Sequence, residues 1–202
     1  MRRTHVTRFL LSSSTLVVAL LALGVMMSGL SIAQEAEETP ELVGAKKCGM
    51  CHKKEASGAQ LVKWEESRHA KAFATLASEK AVAKAKELGL GNPQESAVCL
   101  RCHVTAFPVL DDIANQKITL EEGVSCESCH GAGGDYWKKK TMTAVFAGEV
   151  EAASVGLQSP VTEETCVGCH NEENPFHKEF NFAEASAKIA HKYPDGYRTA
   201  AK

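Results

Sequence analysis

Cys126-Glu127-Ser128-Cys129-His130 is the stretch on which the reading of this chain turns. It holds two cysteines with two residues between them and a histidine directly after. Working outward, the pattern recurs as Cys48-Gly49-Met50-Cys51-His52, Cys99-Leu100-Arg101-Cys102-His103 and Cys166-Val167-Gly168-Cys169-His170. The four copies use all 8 cysteines of the 202 residues, and four of the 8 histidines. Two intervening residues put both sulfurs on one side of a tight turn. There they can form thioethers with the two vinyl groups of one porphyrin, while the next residue turns an imidazole toward the iron. C-x-x-C-H is the attachment site of a c-type haem. The expected cofactors are therefore four covalent c-type haems. Cys48, Cys51, Cys99, Cys102, Cys126, Cys129, Cys166 and Cys169 would attach them, and His52, His103, His130 and His170 would be the proximal iron ligands.

Other uses of paired cysteines fit less well. A thioredoxin-like thiol pair does not come four to a chain with a histidine behind each. Zinc would take the motifs in fixed pairs and leave the four histidines unexplained as a set. A disulfide framework gives no reason for histidine after every second cysteine.

Four irons each have a sixth position to fill. His5 lies in the leader, so His69, His177 and His191 remain, and each is a candidate axial ligand. Histidine on both sides of the iron is a common arrangement in electron carriers, and methionine in place of one would raise the potential. Three imidazoles cannot serve four irons, so at least one iron lacks a histidine sixth ligand. Met142, Tyr136, a lysine or nothing could stand there. An empty or water-bound position on one haem is the expectation.

Residues 1–33 read as an export signal: Arg2, Arg3 and Arg8, an apolar run from Phe9 to Ile32, then small residues at Ser31 and Ala33, with cleavage before Gln34. The rival is an uncleaved anchor, since Leu16 to Ile32 is at the short end for a membrane span. An acidic linker over 34–45 and a haem domain over 46–202 follow. The leader carries three arginines and no acid, so the mature chain has 20 basic against 25 acidic residues. That mildly acidic balance offers no basic stripe for nucleic acid. The expected partners are redox proteins, and a membrane only if the leader persists. Export to the periplasm agrees with haem attachment, which in bacteria takes place outside the cytoplasm. Lys138-Lys139-Lys140 reads as a solvated face.

The rest predicts a mainly α protein of short helices and loops wrapped around four closely packed haems, with little or no β structure. Gln60 to Leu76 places Leu61, Trp64, Phe73 and Leu76 on one face at helical spacing, which His69 can join. Ser78 can cap a helix that Gly89 stops. Asp135 to Ala147 reads as a helix, as does the segment from Asn181 through Ile189 to His191, stopped by Pro194-Asp195-Gly196. Thr162-Glu163-Glu164 opens a helical turn into the fourth motif. Ile118-Thr119-Leu120 is the one short strand the pattern suggests. Porphyrin faces would replace much of the side-chain core.

Gly44-Ala45-Lys46-Lys47, the run from Trp64 to Ala72 and the run from Gly123 to Gly131 resemble the tetrahaem cytochrome c-554 family, whose founding member carries electrons away from hydroxylamine oxidation. The resemblance covers nearly all of the mature chain. It implies a mostly helical fold with haems in close, partly stacked pairs. It also implies His69 on the third haem, His191 on the fourth, and a second haem with no protein sixth ligand, its open face lined here by Asn174-Pro175-Phe176. The chain departs from the family in two places. Asp135-Tyr136-Trp137-Lys138 stands where the family places the histidine that ligates the first haem. His177 follows Phe176 where the family has none. Either His177 replaces the lost ligand of the first haem or it closes the second; the sequence leaves both open. The expected function is electron transfer between redox partners. The alternative is a haem enzyme that reduces nitric oxide or hydroxylamine at the open iron.

Overall fold

The structure is a computed structural model, and it describes residues 41–197. The proposed leader and most of the proposed linker lie outside the described residues. Nine short α-helices follow one another in this region: α1 (Ala45–His52), α2 (Gln60–Glu65), α3 (Ala72–Thr75), α4 (Glu79–Glu87), α5 (Ala97–His103), α6 (Cys126–His130), α7 (Lys139–Ala147), α8 (Glu163–Val167) and α9 (Phe182–Ile189). Four 3₁₀ segments stand among them, the longest over Phe107–Asn115. No strand is present among the described residues, so the mainly α expectation holds. Ile118-Thr119-Leu120 is not a strand. Ile118 is a core residue at 1% exposure, and Leu120 opens a 3₁₀ turn.

Two cap signals read from the sequence are realised by side-chain bonds, while Thr162 precedes α8 without one. Ser78 Oγ accepts from the Ala81 amide at 3.2 Å at the start of α4, and Asn181 Oδ1 accepts from the Glu184 amide at 3.1 Å at the start of α9. These bonds satisfy amides that have no partner within the helix. Two helical expectations are corrected. Gln60 to Leu76 is broken into α2 and α3, with His69 in the turn between them. The reason is that the His69 carbonyl accepts from the amides of Ala72 (3.1 Å) and Val124 (3.0 Å), so the backbone here is committed to the loop that enters the third motif. Gly123 allows that approach: its φ is +61°, and a Cβ there would sit 2.7 Å from the His69 carbonyl oxygen. The helix expected from Asp135 begins only at Lys139, because the Tyr136 and Trp137 amides fold back onto the Gly133 carbonyl.

Two small apolar clusters form the side-chain core. Leu42, Ala106, Val109 and Ile118 make one. Leu76, Leu100 and Val104 make the other, and Leu120 packs against both. Leu42, Val43 and Ala45 are buried, so the folded unit takes in residues that the sequence reading placed in the linker. Polar ties connect the clusters to the motifs. Trp64 Nε1 donates to the Val124 carbonyl at 2.8 Å, and the Ser125 amide donates to Thr105 Oγ1 at 2.6 Å.

The strongest of these ties is Glu127, inside the third motif and 5% exposed. Its carboxylate accepts from the amides of Val43 (2.9 Å), Gly44 (2.9 Å) and Gly133 (2.7 Å). Glu122 adds a bond from the Ala45 amide at 2.8 Å. Gly44 offers α1 no side-chain cap, so two carboxylates from a distant stretch cap it instead. This fixes the first motif against the third.

Candidate haem-binding site

Each motif stands at or just past the C-terminal end of a short helix. The first, second and third end α1, α5 and α6 at their histidines, and the fourth runs out of α8 into a turn closed by the His170 amide on the Cys166 carbonyl at 3.0 Å. The shared cause is spacing. In a helical turn, residues three and four apart lie on one face, so both cysteines and the histidine of a motif point the same way. None of the eight cysteines forms a disulfide, and no group of three or more His, Cys, Asp or Glu side chains converges on one point among the described residues.

The thiols neighbour one another across motifs. Cys126 raises the neighbouring Cys48 thiol, and Cys48 lowers the Cys126 thiol. Burial, then Cys166, raises Cys129. Burial, then Cys102, pushes Cys169 up to about 12. The motifs therefore lie in the order first, third, fourth, second. A cavity of about 470 Å³ opens beside the third and fourth, lined by Ser128, Gln158, Thr162 and Thr165 among others.

Two pairs of imidazoles face each other. The rings of His69 and His170 are 6.1 Å apart, and those of His130 and His191 are 6.0 Å apart. A metal held by two imidazole nitrogens at about 2 Å each separates the ring centres by about 6 Å. Both pairs match that span. Burial lowers His69, His130 and His170 below the ordinary histidine range, which favours the neutral imidazole a metal needs. The other ring nitrogen is also fixed. Nδ1 of His103 meets the Ala72 carbonyl at 2.8 Å, Nδ1 of His130 meets the Gln158 carbonyl at 3.0 Å, and Nδ1 of His191 meets the Ile189 carbonyl at 3.0 Å. A carbonyl only accepts, so each of these nitrogens carries the proton and Nε2 is left for iron. The small apolar core leaves room for porphyrin to supply the missing burial. On these grounds the residues fit the group.

The pairing crosses what the resemblance implied. His69 faces the fourth motif and His191 the third. The turn that carries His69 spends its backbone on the third-motif loop, through Val124, and this leaves its side chain to the neighbouring motif. His177 is exposed and near enough to His170 to lower it. It forms no ring pair with His52 or His103, the two ligands it was expected to complement. Its segment is tied instead to the second motif by Arg101–Glu173 at 2.5 Å, and Phe176 sits under Lys80 and Lys84. Tyr136 is 6% exposed and donates to the carbonyls of His130 (3.1 Å) and Gly131 (2.6 Å), so its hydroxyl is committed to the backbone. Met142 lies half-buried on α7.

Sequence reasoning missed Glu127 and the carbonyls that orient the histidines. Glu127 had a signal, as the one acid inside an attachment motif. The carbonyls had none, because every residue carries one.

Four C-x-x-C-H turns, two of them with the imidazole orientated by a backbone carbonyl, define a c-type cytochrome, with covalent c-type haem as its cofactor. A family model described as "Cytochrome c554 and c-prime" matches residues 47–131, which hold the first three motifs. The chain is 36% identical to cytochrome c-554 of Nitrosomonas europaea over 120 residues, which cover 57% of this chain and 47% of that protein. Over the matched region the chain is similar to the cytochrome c-554 family. It spans about half the length of that curated relative. No solved structure matches.

Proposed function

We propose that this chain is an exported, periplasmic electron-transfer protein that holds four c-type haems and passes electrons between redox partner proteins. The observation that carries the reading is the row of four attachment turns, two of them faced by a second imidazole. When bound, a c-type haem supplies one-electron exchange at its iron, and the protein supplies geometry, ligands and dielectric. Cys48 and Cys51 with His52 would hold the first, Cys99 and Cys102 with His103 the second, Cys126 and Cys129 with His130 the third, and Cys166 and Cys169 with His170 the fourth. His191 would complete the third site and His69 the fourth. The order first, third, fourth, second leaves the first and second motifs at the ends, where partners would dock. The family match to a named cytochrome supports the carrier role. The leader residues support export, and no helix among the described residues is long and apolar enough to cross a membrane.

The test is the mass of the purified protein. The expected value is the polypeptide from Gln34 onward plus four haems that acid-acetone does not extract. Fewer haems, or bound zinc, overturns the reading.

A second reading, reduction of nitric oxide or hydroxylamine at an open iron, draws on the second motif. His103 pairs with no second imidazole among the described residues, and Asn174 stands in a nearby segment as a polar group. Turnover of either compound by the ferrous protein would establish it, and its absence would leave the carrier.

A further inference from the structure

His191 is not carried on a helix. α9 ends at Ile189, Ala190 leaves the helical region at ψ 130°, and the imidazole stands on the chain beyond. The ring's own hydrogen bond, Nδ1 to the Ile189 carbonyl at 3.0 Å, reaches only two residues back. It turns the ring but does not fix where the segment lies. Yet the ring is 6.0 Å from that of His130, the span that a shared metal requires. Contacts outside the imidazole must hold residue 191 there.

The residues that follow it supply them. Tyr193 precedes Pro194, and a residue before proline is held extended. Pro194-Asp195-Gly196 then turns the chain: the Tyr197 amide donates to the Pro194 carbonyl at 3.0 Å, and Gly196 takes φ +78°. The turn lays the Tyr197 ring on the Tyr193 ring, with centroids 4.6 Å apart and planes 7° apart. Phe146 meets both rings edge-on, at 5.7 Å from Tyr193 and 5.8 Å from Tyr197. These are separations at which aromatic pairs attract. The three rings are half-buried and belong to neither core cluster. Phe146 lies on α7, the helix that follows the third motif. Tyr136 ties the approach to that helix to the carbonyls of His130 and Gly131. The ring clasp therefore joins the segment of His191 to the segment that leaves His130. Lys192, between the ligand and the clasp, is seated closely as well: a Cβ on Gly58 would meet its carbonyl oxygen at 2.5 Å.

We propose that Phe146, Tyr193 and Tyr197 are the positioning residues of the third haem site: their clasp holds His191 at the iron of Cys126, Cys129 and His130 and keeps that sixth position closed. A ligand on the same chain as its iron binds according to its effective concentration there, which falls when the segment carrying it is free to move. A ring lost from the clasp frees the segment and opens the position. His69 is held differently, by the amides of Ala72 and Val124 on its own carbonyl. The third site thus depends on side chains that one substitution removes, and the fourth on backbone bonds. The inference rests on the reading that His130 and His191 share a haem iron.

The test uses the full mature protein with its haems counted by mass. Electron paramagnetic resonance reads the spin states, and carbon monoxide titration of the ferrous form counts the open irons. With four haems attached, Phe146→Ala should turn one iron from low to high spin and bind one more carbon monoxide per chain than wild type. Phe146→Tyr, which keeps a ring, should match wild type. His191→Ala should open the same iron, so the double variant Phe146→Ala/His191→Ala should gain no further site. A wild-type count in Phe146→Ala, an equal gain in Phe146→Tyr, or a further site in the double variant overturns the inference. If Phe146→Ala does not accumulate with four haems, Tyr197→Leu and Tyr197→Phe take the places of the two Phe146 variants under the same criteria. No gain in His191→Ala would instead refute the ligand reading on which the inference rests.

Discussion

Glu127→Ala should destabilise the holoprotein more than any other single surface-distant carboxylate change. The side chain is buried and collects the amides of Val43, Gly44 and Gly133, all three in buried residues. Removing it strands three donors, and a buried donor without a partner costs about 1–3 kcal/mol. Simple addition gives about 3–9 kcal/mol. Water entering the space left by the side chain reduces this, so about 3–5 kcal/mol is expected. Glu127→Gln keeps one acceptor oxygen but turns an NH₂ group toward amide donors. It loses one or two charge-assisted bonds, at about 1.5–3 kcal/mol each, and should cost about 2–3 kcal/mol. The damage should be local first, because Val43 and Gly44 lead into α1 and hold the first motif against the third. Urea unfolding of the four-haem protein, followed by far-ultraviolet circular dichroism, measures the loss. Hydrogen exchange should show the amides of residues 43, 44 and 133 opening before the rest. A Glu127→Ala variant within 1 kcal/mol of wild type, or a Glu127→Gln variant that costs as much as the alanine, would refute the reasoning.

Other expectations follow from the same geometry. His69→Ala should turn the iron at Cys166 and Cys169 from low to high spin, and His191→Ala the iron at Cys126 and Cys129, each with four haems retained; electron paramagnetic resonance reads the change. Gly123→Ala should cost about 1–3 kcal/mol in a thermal melt, because its backbone lies in a region only glycine occupies readily and its Cβ would strike the His69 carbonyl. The ferrous protein should bind carbon monoxide at about two sites per chain, at the irons of His52 and His103, which face no second imidazole; titration with no binding would show that side chains fill both positions. Burial raises Glu122 above the ordinary carboxylate range, partly opposed by the Ala45 amide. Its folded form thus holds its proton longer than its unfolded form. The associated stability is complete below the unfolded value and is lost as pH rises through the folded one. Glu122→Gln should flatten the stability–pH curve over that window.

The sequence by itself determined the chemistry. The C-x-x-C-H turns, the helix caps at Ser78 and Asn181 and the mainly α composition are local properties. Each depends on residues within a few positions of one another, and each appears in the structure where its spacing put it. His69, His177 and His191 could be named as ligand candidates by counting alone, because a mature chain whose other histidines follow cysteine pairs has few imidazoles to spare. Which motif each one faces was not legible. His69 lies closer in sequence to the third motif than to the fourth, and its backbone does bind the third-motif loop, yet its ring faces His170. That choice is made by Val124 and Gly123 pressing on the residue-69 carbonyl, contacts more than 50 residues away in the chain. The break between α2 and α3 has the same origin, since a helical pattern cannot foresee a carbonyl claimed by a distant amide. The order of the four motifs in space and the burial of Glu127 were likewise tertiary decisions. A hydrogen bond or a thiol contact between residues far apart leaves no periodicity in the sequence, because its two halves are selected independently and meet only when the chain folds.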